Sequence, residues 1–227
     1  IIFVSSRGMI DNPVYEQVKH KAVFIQNGVN IIPNNSVRKL DSITYMSRIN
    51  GRHSDIILLI ITKVLPGLLK EYPSIRFNVI GDGDGMEVVT HAAGHLNESA
   101  GYEVVKLHGF LSDVNPVIRT SGLVLGVGRV AIEALANCVP VLSINAKLMG
   151  EIVTTSNYRF YQMNNFVATG SSEPEAGNLT GMILNYLKDP DAVQNETRQL
   201  TGNIAEDFGM QNIAGRVLEV YKKVQGK

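Results

Sequence analysis

The chain has 227 residues, 44% of them hydrophobic and 19% charged, with 21 lysines and arginines balanced by 21 aspartates and glutamates. That balance, without a basic stripe carrying interleaved aromatics, speaks against a nucleic-acid partner, and the length suits one large domain or one domain with attachments. A single cysteine, Cys138, excludes an internal disulfide and a cysteine-cluster metal site and fits a reducing, cytoplasmic setting, while the longest apolar run, 56–61, is too short to span a bilayer.

In chain order, 1–4 and 22–25 read as short strands on either side of a polar loop containing Asn12-Pro13. The opening Ile1-Ile2-Phe3-Val4 has neither a methionine nor a basic leader, so it does not read as a signal peptide. It reads as a strand of something larger, and the chain is expected to be a fragment, inactive alone. Asn27-Gly28 signals a turn, and 31–40 lacks a readable period. A regular pattern follows: strand 43–47, amphipathic helix 56–71, strand Arg76–Ile80, the turn Gly81-Asp82-Gly83-Asp84-Gly85, helix Met86–Ala100, strand 103–108 and short helix 113–119.

Leu123-Val124-Leu125 is then a strand, the helix begins near Arg129, and Val139-Pro140-Val141-Leu142 is the next strand. A polar loop at 170–174 precedes two or three helices, 177–187, 191–208 and 211–224. Strands alternating with helices imply right-handed crossovers and a mostly parallel, Rossmann-like sheet, an α/β fold. Ligands of such sheets bind beyond the carboxyl ends of the strands, where the strand order reverses. The loops expected there are 48–55, 81–85, 109–113 and 126–129.

The run Gly126-Val127-Gly128-Arg129 is built for close approach of a backbone to a ligand. Glycines without a Cβ can expose consecutive N–H groups, and the following helix aims its free N–H groups and positive dipole end at the same spot. Phosphate suits that geometry, and Glu133, one turn on, can accept hydrogen bonds from sugar hydroxyls. On the spacing alone the plainer reading is preferred: a tight strand-to-helix turn with a solvated carboxylate.

Motifs spread along the chain change that balance. Phe24-Ile25-Gln26-Asn27-Gly28-Val29-Asn30, Tyr45-Met46-Ser47-Arg48-Ile49, Val79-Ile80-Gly81-Asp82-Gly83, Leu107-His108-Gly109-Phe110 and Glu133-Ala134-Leu135-Ala136 with Pro140-Val141 together resemble the carboxyl-terminal, donor-binding domain of retaining GT-B glycosyltransferases of the family-4 type. The closing helix, with Val217-Leu218-Glu219-Val220-Tyr221, is similar too. The resemblance implies residues 1–40 as interdomain linker and remnant of an amino-terminal domain, 41–175 as the donor-binding domain, and 176–227 as helices packing on it. It implies a nucleoside-diphosphate sugar as donor substrate, no further cofactor and no metal, a missing amino-terminal acceptor domain as partner, and polysaccharide biosynthesis as the setting. A peripheral membrane or lipid-linked acceptor is among the partners it allows.

Carried over by position, Arg48 and Glu133 would be the catalytic pair: Arg48 beside the diphosphate, stabilising charge on the leaving group, and Glu133 on the ribose. The backbone at Gly126, Val127, Gly128 and Arg129 would hold the diphosphate, with Gly81, Gly83 and Arg52 contributing to the donor pocket. Asp82 is expected only to shape its turn. Three positions depart from the family pattern. Leu125 stands where a first glutamate is expected, Arg52-His53-Ser54 replaces a lysine followed by glycine, and Cys138 replaces the glycine that ends the signature helix. Arg52 is expected to supply the missing charge, with His53 the weaker candidate, and Cys138 to be a small buried residue strained in a left-handed conformation.

Two alternatives stand beside a transferase: a degenerate, non-catalytic nucleotide-binding or scaffolding domain, and a nucleotide-sugar epimerase of GT-B architecture. A dinucleotide-binding protein is disfavoured, because the first turn of the regular pattern lacks the glycine triplet that a dinucleotide requires there.

Overall fold

The computed structural model describes residues 1–4, 12–31 and 36–226. Residues 5–11, in the polar loop expected after the first strand, and 32–35, in the stretch without a readable period, lie outside the described residues. Strands β1 (Ile2–Phe3) and β2 (Val23–Phe24), with the one-turn helix α1 (Tyr15–Val18) between them, form a small parallel pair, Ile2 opposite Val23 and Phe3 opposite Phe24. The segment after β2 is tied to the rest of the molecule at Val29, whose N–H donates to the Phe208 carbonyl (2.8 Å) and whose carbonyl accepts from the Met210 N–H (3.0 Å).

The main sheet is built from β3 (Lys39–Met46), β4 (Arg76–Ile80), β5 (Val105–Gly109), β6 (Ser121–Gly126), β7 (Val141–Ile144) and β8 (Met149–Ile152), in spatial order β5-β4-β3-β6-β7-β8. All neighbours are parallel except β7 and β8. The order reverses between β3 and β6, where Tyr45 lies opposite Leu125. Alternation along the strands explains the two-sided packing. Ile43, Tyr45, Phe77, Val79 and Val105 face one layer, formed by α2 (Gly51–Leu59), a π turn at Ile60–Val64, α3 (Leu65–Glu71), α4 (Met86–Ala100) and α8 (Ala176–Lys188). Val124 and Val141 face the other, formed by α5 (Asn115–Thr120), α6 (Arg129–Ala136), α7 (Tyr158–Met163) and α10 (Thr201–Phe208). Each fully buried side chain of this size stabilises the fold by about 1.5–3 kcal/mol relative to exposure. α9 (Pro190–Gln199) and α11 (Met210–Val224) complete the carboxyl-terminal helices.

Several boundaries differ from those read in the sequence. The helix expected at 56–71 begins at Gly51, so Arg52 and His53 sit in a first helical turn rather than in a loop. Its middle widens into the π turn just before Pro66, whose ring removes one backbone donor and crowds the preceding turn. The stretch 191–208 is two helices, broken at Leu200. β8 and α7 carry no strong sequence signal. β8 contains Gly150, where a Cβ would come 2.4 Å from the Tyr161 hydroxyl and 2.5 Å from the Ala168 Cβ. Cys138 has φ 56°, the left-handed conformation expected there, but its side chain is half-buried rather than buried.

Candidate functional site

At the reversal of strand order, beyond the carboxyl ends of β3, β6 and β7, lies an open cleft of about 640 Å³. Asn50, Arg52 and His53 line it from the start of α2, Val127 from the turn before α6, and Asn145 and Lys147 from the loop after β7. Two helix amino-termini therefore meet the same space. Hydrogen bonding in α2 begins with the His53 and Ser54 N–H groups on the Asn50 carbonyl, and in α6 with the Ile132 N–H on the Gly128 carbonyl. The earlier N–H groups of each helix have no intrahelical acceptor, and both dipoles place positive potential at the cleft. Arg52 and Lys147 add full charges.

The loop carrying this machinery is fixed by its neighbour. Ile49 is fully buried; its N–H donates to the Asp82 carbonyl (3.0 Å) and its carbonyl accepts from the Gly85 N–H (3.0 Å). Gly81 (φ 141°) and Gly83 (φ 153°) make that approach sterically feasible, since a Cβ would fall 1.9 Å from the Ser47 carbonyl oxygen and 2.3 Å from that of Ile49. Both glycines thus position the loop, and neither lines the cleft. Asp82 accepts from the Gly83 N–H (2.8 Å), which shapes the turn. Arg48 is exposed at the rim of the loop and is not among the lining residues.

The β6–α6 turn consists of Val127 and Gly128, shorter than the loop expected at 126–129. β6 runs to Gly126, and Leu125 is a strand residue with 0% exposure, paired with Tyr45 and Leu142. A carboxylate at that position would be buried in the core, not presented to a ligand. Gly126 packs strand on helix, since a Cβ would lie 2.6 Å from Val130 Cγ1. Gly128 (φ 58°) donates its N–H to the Asn165 carbonyl (2.9 Å), so this N–H is held within the protein rather than offered at the cleft. Asn165 and Phe166 themselves have φ of 52° and 58°, so costly backbone clusters where α6 starts. Arg129 folds onto Glu133, Nε to Oε1 2.7 Å, with side-chain exposures of 68% and 20%. That pair stands beside the cleft and does not line it.

His53 is tied to the strand beneath the cleft. Its Nδ1 lies 2.9 Å from the hydroxyl of Tyr45, a β3 residue buried beneath it. Burial lowers the His53 imidazole below its usual range and pushes the Tyr45 phenol up to about 12. Sequence reasoning missed Asn145 and Lys147. The Asn145 side chain accepts from the N–H groups of Lys147 (2.8 Å) and Leu148 (2.9 Å) and so fixes this loop. The signal was available, because the loop after the strand read at 139–142 opens at the same sheet end as the others. Among the described residues, no group of three or more His, Cys, Asp or Glu side chains is arranged to hold a metal ion.

No family model and no curated protein matches this sequence. Solved structures match its fold. HepE from Anabaena, in complex with UDP, superposes with a TM-score of 0.68 at 16% identity over 98% of this chain and 63% of its own. A glycosyltransferase from Rickettsia africae gives 0.69 at 18% identity, covering 99% of this chain and 63% of its own. The pneumococcal O-GlcNAc transferase GtfA, in complex with UDP and GlcNAc, gives 0.69 at 16% identity, covering 100% of this chain and 46% of its own. The fold is that of GT-B glycosyltransferases, and the chain spans about half to two-thirds of the length of these structures.

Proposed function

We propose that this chain is the donor-binding part of a retaining glycosyltransferase, taking a nucleoside-diphosphate sugar whose diphosphate occupies the cleft between the amino-termini of α2 and α6. The observation that carries this reading is the convergence of two helix amino-termini, Arg52 and Lys147 at the reversal of strand order. A diphosphate gains hydrogen bonds from unpaired N–H groups and charge compensation from both cations. As the glycosidic bond breaks, negative charge grows on the departing nucleoside diphosphate, and fixed donors there stabilise it without reorganising. Arg48, at the rim, and Glu133, once released from Arg129, are assigned to the leaving group and the ribose. The solved neighbours crystallised with UDP support a nucleotide-sugar donor. Because the chain spans only part of their length, the acceptor and its binding surface are assigned to a region beyond this sequence.

Leu125 favours a second reading, a nucleotide-binding domain that performs no transfer, because its place inside β6 leaves no carboxylate on that side of the sugar. Both readings predict nucleoside-diphosphate binding, and transfer by the full-length protein separates them. Calorimetry with UDP, GDP and ADP tests the shared part; absence of binding by all three at millimolar ligand contradicts it. Glu133→Ala is expected to weaken binding of the preferred nucleoside diphosphate, and unchanged affinity would remove Glu133 from the site.

A further inference from the structure

By the amino ends of β3 and β7, at the other end of the sheet from the cleft, lies a second cavity of about 350 Å³. Arg38 and Leu40 line it from the start of β3, Cys138 from the turn after α6, and Asp191, Gln194 and Arg198 from α9. Among the described residues, three buried side-chain polar atoms lack a hydrogen-bond partner, and two of them, Arg38 Nη1 and Gln194 Oε1, belong to residues of this one cavity. Gln194 is 2% exposed, and its amide nitrogen donates to the Gly122 carbonyl (2.9 Å), which fixes the oxygen away from that bond. The neighbouring Tyr186 hydroxyl gives its hydrogen to the Leu40 carbonyl (2.9 Å) and cannot supply the donor that Gln194 lacks. Arg38 donates through Nη2 to the Asn137 carbonyl (3.1 Å), and the Cys138 sulfur beside its guanidinium is a weak acceptor. Buried polar atoms left unpaired are costly, so the two mark a place where a partner belongs. Charge points the same way. Among the described residues, neither Arg38 nor Arg198 has a carboxylate within ion-pair distance, and Arg198 Nη1 is turned to Asn195 Oδ1 (2.6 Å). Burial pulls the Arg38 guanidinium below its ordinary range, and the Arg198 charge acts in the same sense. An anion between the two relieves both effects.

We propose that this cavity binds a small carboxylate bearing a hydroxyl or ammonium group next to its carboxyl, the carboxylate held by Arg38 and Arg198 and the adjacent donor by Gln194 Oε1. An unpaired donor and an unpaired acceptor on one cavity require a ligand that brings both kinds of group. A halide or a fully ionised phosphate offers acceptors alone and leaves Gln194 without a partner. Guanidinium groups suit a planar carboxylate, whose two oxygens they can hold in a fixed orientation. An ammonium on the ligand finds its counter-charge in Asp191, three residues before Gln194 on α9. The site stands across the sheet from the cleft and does not depend on what the cleft binds.

Titration of the nitrogen-15-labelled chain with glycolate, glycine, acetate and ethylene glycol tests it. Glycolate or glycine is expected to shift the Gln194 side-chain amide and Arg38 Nε–H signals saturably, with a Kd on the order of millimolar, the range open to so few non-hydrogen atoms. Acetate, which lacks the donor, is expected to bind about tenfold more weakly, and ethylene glycol, which lacks the charge, not to bind. Tighter binding of glycine than of glycolate places Asp191 on an ammonium; the reverse order identifies a hydroxyl. Arg38→Met should abolish binding of all three acids. Gln194→Met should lower the better ligand to the level of acetate and leave acetate unchanged. If either variant fails to fold, the four-ligand comparison on the wild type decides. Saturation by none of the acids means that the two atoms share a bridging water only, and equal affinity for all three means a site for anions at large. Either result overturns the proposal.

Discussion

At the scale of single residues, the site depends on side chains that the fold aims and on backbone held at a cost. Cys138 shows the cost. Its φ of 56° is a conformation that disfavours any side chain by about 1–2 kcal/mol, and its contact from Sγ to Thr201 Oγ1, at 3.4 Å, is weak. Cys138→Gly trades that strain against a more flexible unfolded chain. The exchange is expected to raise stability by roughly 1 kcal/mol, or about 2–4 °C in Tm. A lower melting temperature would mean the thiol contributes packing that its half-buried position does not suggest. His53 and His108 supply a pH dependence. Burial lowers both imidazoles, with the Lys106 charge adding at His108, so the folded protein binds protons there less readily than the unfolded chain. The stability they contribute is therefore complete above the ordinary imidazole value of 6.5 and is lost as pH falls through and below it. Urea midpoints at pH 7.5 and 5.5 should differ in that direction. The double variant His53→Gln, His108→Gln should flatten the difference.

At the scale of elements, one strand-to-helix loop is held by another, and that dependence can be broken from a distance. Gly83→Ala places a Cβ against the Ile49 carbonyl, so the loop leading into α2 must move or the turn must open. Strain of this kind costs about 2–3 kcal/mol. The same variant is expected to weaken nucleoside-diphosphate binding although Gly83 does not line the cleft, which thermal melting and calorimetry on one sample would check. Loss of stability with unchanged affinity would separate the loop contact from the site. Legibility in the sequence also divides by element. β4, α4 and the strand ending at Leu125 are plain because alternation or helical spacing runs uninterrupted. The start of α2 is not legible because Gly51-Arg52-His53 offers no apolar period, and its first turn is closed by the His53 and Ser54 N–H groups on the Asn50 carbonyl. β8 was missed because Gly150 is there for Tyr161 and Ala168, a tertiary reason that no local pattern carries.

At the scale of the whole molecule, sheet order decides what the motifs mean. The sequence indicated alternation and therefore a parallel sheet, yet only the order β5-β4-β3-β6-β7-β8 puts Arg52, Val127 and Lys147, which lie far apart in the chain, on one cleft. The glycine run lies at the carboxyl end of β6, beside the cleft. Its individual glycines turned out to be used for packing, with the Gly128 N–H committed to Asn165 and the Gly126 surface to Val130. Positive charge facing the cleft comes instead from Arg52, which sequence reasoning placed in the donor pocket, and Lys147, which it did not consider. A ligand bound only by the folded protein raises its stability by about 2.7 kcal/mol at one hundred times its dissociation constant, so melting in the presence of nucleoside diphosphates reads the site globally. The most direct test is titration calorimetry of UDP, GDP and ADP against the wild type and the Arg52→Ala, Lys147→Ala double variant. Binding of at least one diphosphate by the wild type, weakened at least about tenfold in the double variant while the free nucleoside is unaffected, is the predicted result. Binding of none of the three at millimolar concentration, or equal affinity in both proteins, would contradict a diphosphate site in this cleft.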